Sequence, residues 1–159
     1  MLKVPLLALI FQGYPESLAL TCLAYSLAKL QWKVKKILLI ALIHLLVVFV
    51  VRSMPITFGS HIIWHLIIYA INLTLLTKID FLNSLKISIT IFTFLFITET
   101  VIFKIIVFFT NLSFEFIFFN PFFRIICGLP QVAIVFLVAF IIRKRNNNVL
   151  SKFKKRAIL

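Results

Sequence analysis

Carboxylates are scarce in this chain of 159 residues, which holds 4 Asp and Glu against 17 Lys and Arg and so carries a net charge of +13. Glycine is limited to 3 residues and cysteine to 2. Each shortage removes a class of chemistry. Gly13, Gly59 and Gly128 are scattered and build no phosphate-cradling loop. Cys22 and Cys127 lack CxxC spacing, so neither a disulfide framework nor a zinc site is read. Both are expected as small apolar packing residues. No HExxH, no metal-ligand spacing and no nucleophile–base pair stands out. The expectation is a non-enzymatic protein that uses no cofactor and no metal.

Polar residues of every kind are too few for a soluble domain. The hydrophobic fraction is 63% and the mean hydropathy +1.16, where a soluble domain is nearer about half apolar. What is present instead is five apolar stretches: Val4–Ala28, Ile37–Val51, Ile62–Thr77, Ile87–Phe109 and Phe122–Ile142. A bilayer core of about 30 Å takes ~20 helical residues to cross. Three stretches reach this directly. The second and third need flanking residues, tilt or local thinning. The fold expected is an all-α polytopic bundle of five transmembrane helices over residues 1–142, with a basic tail over 143–159. The first stretch is too long for a cleaved signal peptide and ends in lysine, so no leader is expected to be removed.

The basic residues divide by loop. Lys29, Lys33, Lys35 and Lys36 follow the first stretch, Lys78 and Lys86 follow the third, and seven more follow the fifth, from Arg143 to Arg156. Only Lys3, Arg52, Lys104 and Arg124 fall to the other side. Positive charge beside membrane spans is retained in the cytoplasm. The amino terminus is therefore expected outside and the carboxy terminus in the cytoplasm of a plasma (inner) membrane. The charge flanks apolar stretches, where orientation and anionic lipid account for it, so nucleic acid is not an expected partner. The wealth of Phe, Ile, Lys and Asn fits an AT-rich bacterial genome.

Ionisable residues inside the hydrocarbon are costly and are candidates for function. Glu16 and Glu99 count to similar depth near the midplane, and His44 lies nearer the inner surface. His65 is expected close to the outer surface, and Lys104 is expected to snorkel. Glu16, His44 and Glu99 are read as one interior polar cluster that binds a ligand, carries a proton or sets a switch. Helix–helix hydrogen bonding is the plainer alternative for the same residues. Pro15 and Pro130 predict kinks, and Gly13 predicts a close helix approach. The aromatic segment Thr110–Asn120 reads as interfacial. In the tail, Val149, Leu150, Phe153 and Ala157 fall at helical spacing, which suits a short surface helix as well as it suits a disordered basic tail.

Three elements stand together: Gln12-Gly13-Tyr14-Pro15-Glu16, then Val51-Arg52-Ser53-Met54-Pro55 followed by Gly59 and His61, then Arg124 with Gly128-Leu129-Pro130. This set resembles the membrane sensor region of Firmicute GHKL-class sensor histidine kinases, a group related to Agr-type peptide sensors. The resemblance spans nearly all five stretches. It implies a signal received outside or in the membrane and passed to a cytoplasmic kinase or regulator. Such kinases continue into a phosphoacceptor helix and an ATP-binding domain. Neither is read in the seventeen residues after the last stretch, so a sensor-like module without catalysis is expected.

The function expected is thus a sensor or regulatory module, with Glu16, His44, Arg52 and Glu99 as ligand-binding or switch residues. Its partners would be the lipid bilayer, a cytoplasmic kinase or regulator held by the basic tail, and a second copy in a homo-oligomer. The alternative is a small subunit of a transporter or a channel-like oligomer, which predicts a solvent-reachable cavity between Glu16 and Glu99. A third reading is a structural subunit of a larger complex, which predicts a small-residue or polar stripe on the exposed surface.

Overall fold

The structure, a computed structural model, describes residues 9–53, 60–110, 113, 116–117 and 120–156. The described residues form helices and connections, with no strand among them. The main helices are α1 (Tyr14–Leu27), α2 (Val34–Ser53), α3 (Ser60–Thr77), α4 (Phe81–Thr110) and α5 (Pro121–Arg156). They form a helical bundle.

One turn of π-helix, Leu9–Gly13, leads directly into α1. Pro15 lies in the first turn of α1. A proline ring crowds the carbonyl four residues earlier and donates no hydrogen bond. A wider turn just ahead of it accommodates both effects. The expected break at Pro15 is therefore a change of helix type. Pro130, in contrast, lies inside α5, which continues through it.

Among the described residues, three helices have apolar windows long enough to cross a membrane: Val34–Val51, Phe81–Thr110 and Phe122–Asn148. Ile62–Thr77 is apolar but shorter. Length thus supports three of the five expected crossings. The helices also outrun the apolar stretches, because polar flanks such as Lys35 and Lys36 at the start of α2 adopt helix too. The described part of the tail is helical, since α5 runs unbroken from Pro121 to Arg156.

Side-chain contacts between helices fix their directions. Lys36 Nζ donates to Leu76 O at 2.8 Å and Asn72 Nδ2 to Ile40 O at 3.3 Å, so α2 and α3 are antiparallel. Gln131 Nε2 donates to Leu95 O at 3.3 Å, linking α5 to α4. Ser26 Oγ donates to Ala139 O at 2.9 Å, and Gln12 packs against Gly128, so α1 and α5 run parallel. A Cβ at position 128 would run into the Gln12 side-chain amide. The close approach expected of Gly13 is thus made at Gly128.

The centre of the bundle is α1. Its residues from Ala19 to Ser26 are all buried, and Tyr69, Leu73, Ile91, Val135 and Ala139 close around them. The reason is side-chain size. Between Ser17 and Ser26 this helix holds Ser, Ala, Thr and Cys where its neighbours hold Phe and Ile. In a membrane, small and hydroxyl side chains let helices approach, while hydrophobicity does not choose between lipid and protein.

Two lysines end helices in the left-handed region: Lys29 (φ 55°) after α1 and Lys78 (φ 63°) after α3. Glycine is the usual residue there. A lysine retains positive charge at the negative end of the helix dipole. It also retains that charge in the loops that carry the orientation signal.

Candidate functional site

His44 is buried in the middle of the bundle. Its ring meets those of three residues edge-on: Tyr69 at 4.8 Å between centroids, Phe92 at 5.8 Å and His65 at 6.1 Å. Tyr69 and Phe92 also meet each other at 5.8 Å. The cluster joins α2, α3 and α4, and a hydrogen bond carries it to α1. Tyr69 Oη donates to Thr21 Oγ1 at 3.2 Å, and Thr21 Oγ1 donates to Ser17 O at 2.8 Å. That chain ends on a backbone carbonyl, which cannot pass a proton onward. It fixes the position of the Tyr69 ring and does not form a conduction path.

His65, which counts close to the outer end of its stretch, is buried against His44. It is the sixth residue of α3, so its depth is shallow as counted, and the His44 ring of α2 lies beside it. Glu16 is half-buried at the start of α1, and Glu99 is exposed on α4. Of the three residues read as one interior cluster, only His44 belongs to the buried core. Arg52 falls in the last turn of α2 and its side chain lies outside the described residues, as do Met54–Gly59 between α2 and α3. Most of Thr110–Asn120 and the side chains of the tail beyond Asn148 lie outside them too.

A second constellation, not foreseen from the sequence, ties the loop after α1 to α5. Ser26 is its hub. Its Oγ donates to Ala139 O, Trp32 Nε1 donates to that Oγ at 3.3 Å, and Asn146 Nδ2 donates to Ser26 O at 2.8 Å. The Arg143 guanidinium sits over the Trp32 ring, with Cζ 4.3 Å from its centroid. Cation–π stacking of this kind favours arginine on tryptophan. Close by sequence, Tyr25 Oη is buried without a hydrogen-bond partner among the described residues, and so is Ser84 Oγ on α4.

Among the described residues no group of three or more His, Cys, Asp and Glu is placed to hold a metal. Cys22 and Cys127 are free and buried. The interior thus offers two imidazoles packed edge-on against aromatic rings and each other. Comparison with protein-family models, with curated proteins and with solved structures finds no match.

Proposed function

We propose that the chain is a non-enzymatic sensor or regulatory module of the bacterial plasma membrane. In this reading five helices cross the membrane, with the amino terminus outside and the carboxy terminus in the cytoplasm. A signal from outside or from the membrane shifts the His44–His65–Tyr69 cluster, and α5 delivers the change to a cytoplasmic partner. The observation that carries the reading is α5 itself, one helix of 36 residues that rises about 54 Å at ~1.5 Å per residue. It packs along the buried α1 and continues into the basic segment from Arg143. A helix packed on the core along one part and continuing into a basic segment suits a mechanical output. The resemblance to sensor-kinase membrane regions supports the same reading. Glu16, Arg52 and Glu99 remain candidate ligand or switch positions within it.

The test is affinity capture from native membranes, with and without Arg143–Leu159, followed by mass spectrometry. Capture of a kinase or cytoplasmic regulator that depends on this segment supports the sensor. Capture of an ATPase or transport subunit regardless of the segment supports the transporter.

The reading as a structural subunit has its own observation. The face of α4 opposite its buried Ser84, Ser88, Ile91 and Leu95 carries Lys86, Thr90, Thr93, Ile97, Thr100 and Lys104. These residues follow the 4–3 spacing of a helix-packing seam. In the capture experiment, a stable membrane partner lost on Thr93→Phe would favour that role.

A further inference from the structure

We propose that the loop after α1 and the stretch of α5 beginning at Arg143 together form a binding site for the phosphate of an anionic phospholipid headgroup. The proposal rests on the chain being a membrane protein and is independent of the sensor reading. Two basic segments more than a hundred residues apart in sequence meet at one end of the bundle. The Ser26 hydrogen bonds to Ala139 and Asn146 and the stacking of Arg143 on Trp32 hold them there. Orientation by positive charge requires lysines in these loops. It does not require the two segments to touch, nor an arginine to stack on the loop's tryptophan.

The chemistry of the contact points outward. Arg143 is half-buried, and its guanidinium lies over Trp32. Arg143 Cζ lies 4.3 Å from the Trp32 ring centroid, and its N–H donors have no hydrogen-bond partner among the described residues. A planar guanidinium fork held against a ring, with its donors unspent within the described residues, matches a phosphate. Lys33 on the loop, Lys35 at the start of α2, and Lys144 and Arg145 on α5 flank the pair in sequence, and all four are exposed. Of the described side-chain carboxylates, Glu16, Asp80 and Glu99, only Asp80 lies at this end, and its Oδ2 accepts the Asn83 N–H. Among the described residues no carboxylate pairs with these cations. Tryptophan favours the headgroup layer, and the anion concentrated in that layer is lipid phosphate.

The test uses Trp32 as its own reporter. The Trp64→Phe protein, reconstituted in phosphatidylcholine bilayers, is titrated with brominated phosphatidylglycerol or brominated phosphatidylcholine, and Trp32 quenching is followed. The proposal predicts a preference for the anionic lipid of about fivefold or more. Adding Arg143→Gln, Lys33→Gln and Lys35→Gln should bring the preference to about one. Arg143→Lys keeps the charge without the fork and should retain only part of it. The converse protein, Trp32→Phe with Trp64 reporting from α3, should show no preference and confirms folding of the bilayer-inserted chain. Equal quenching by the two lipids at Trp32 overturns the proposal, as does a preference that Arg143→Gln leaves intact. Relief of anionic-lipid quenching by excess inorganic phosphate would assign the site to a soluble anion and overturn the lipid assignment.

Discussion

Helices α1 and α4 are both apolar, yet they occupy opposite places in the molecule. Nearly every residue of α1 from Ser17 to Ser26 is buried, while only 11% of the apolar window of α4 is. The longer and more strongly apolar helix is on the outside. Hydropathy measures the preference for leaving water, and lipid satisfies it as well as protein does. What selects the centre is fit: Ala19, Ala24 and the hydroxyls of Ser17, Thr21 and Ser26 allow four helices to close on α1. The phenylalanines of α4, such as Phe96, Phe108 and Phe109, stand 65–77% exposed.

The largest test of this contrast is steric. Ala24→Phe fills a position with no exposed surface, and overpacking of that kind costs about 1–3 kcal/mol or more. Thr93→Phe adds similar bulk on the exposed face of α4 and should stay within about 0.5 kcal/mol. Unfolding of the two variants in detergent, followed by circular dichroism, reads the difference. Equal losses would remove the distinction between the two helices.

Next comes Ser26→Ala. It takes away the bond to Ala139 O and leaves Trp32 Nε1 without its acceptor, for an expected loss of about 1–2 kcal/mol. Thr90 on α4 bonds only the carbonyl of Lys86 in its own helix, so Thr90→Ala should cost far less in the same assay.

Two tyrosines sharpen the comparison within the core. Tyr69→Phe deletes a bond to Thr21 and should cost about 0.5–1.5 kcal/mol. Tyr25→Phe removes a buried hydroxyl that has no partner among the described residues, so its melting temperature should hold or rise. The smallest effect is expected at Lys29, whose φ of 55° strains any residue with a Cβ. Lys29→Gly relieves about 1 kcal/mol of strain and loses a favourable dipole interaction of about 0.3–1 kcal/mol. The melting temperature should therefore stay level or rise slightly.

Much of the fold was legible in the sequence, and the reasons for the rest are physical. Apolar runs located all five helices. They marked only the apolar part of each helix, so α2 begins at Val34 and α5 continues to Arg156 beyond them. His44 was legible as a candidate because an ionisable group in an apolar run is conspicuous. Counting along a helix gives depth and says nothing about the direction a residue faces. Glu99 therefore counted to the midplane yet is exposed, and His65 counted to the surface yet is buried against His44. A usable signal for the centre was present in α1: hydroxyls at Ser17 and Thr21, four residues apart, in a stretch without Phe, Ile or Val. The Ser26–Trp32–Arg143–Asn146 contacts could not be read from the chain, because they join segments that no periodicity relates.

The most direct test of the central claim is labelling of the bilayer-inserted protein with a lipid-dissolved carbene precursor, mapped by peptide mass spectrometry. The account predicts heavy labelling of α4 around Phe96, Phe108 and Phe109 and almost none between Ala19 and Ser26. Labelling of that α1 segment to the level of α4 would contradict it.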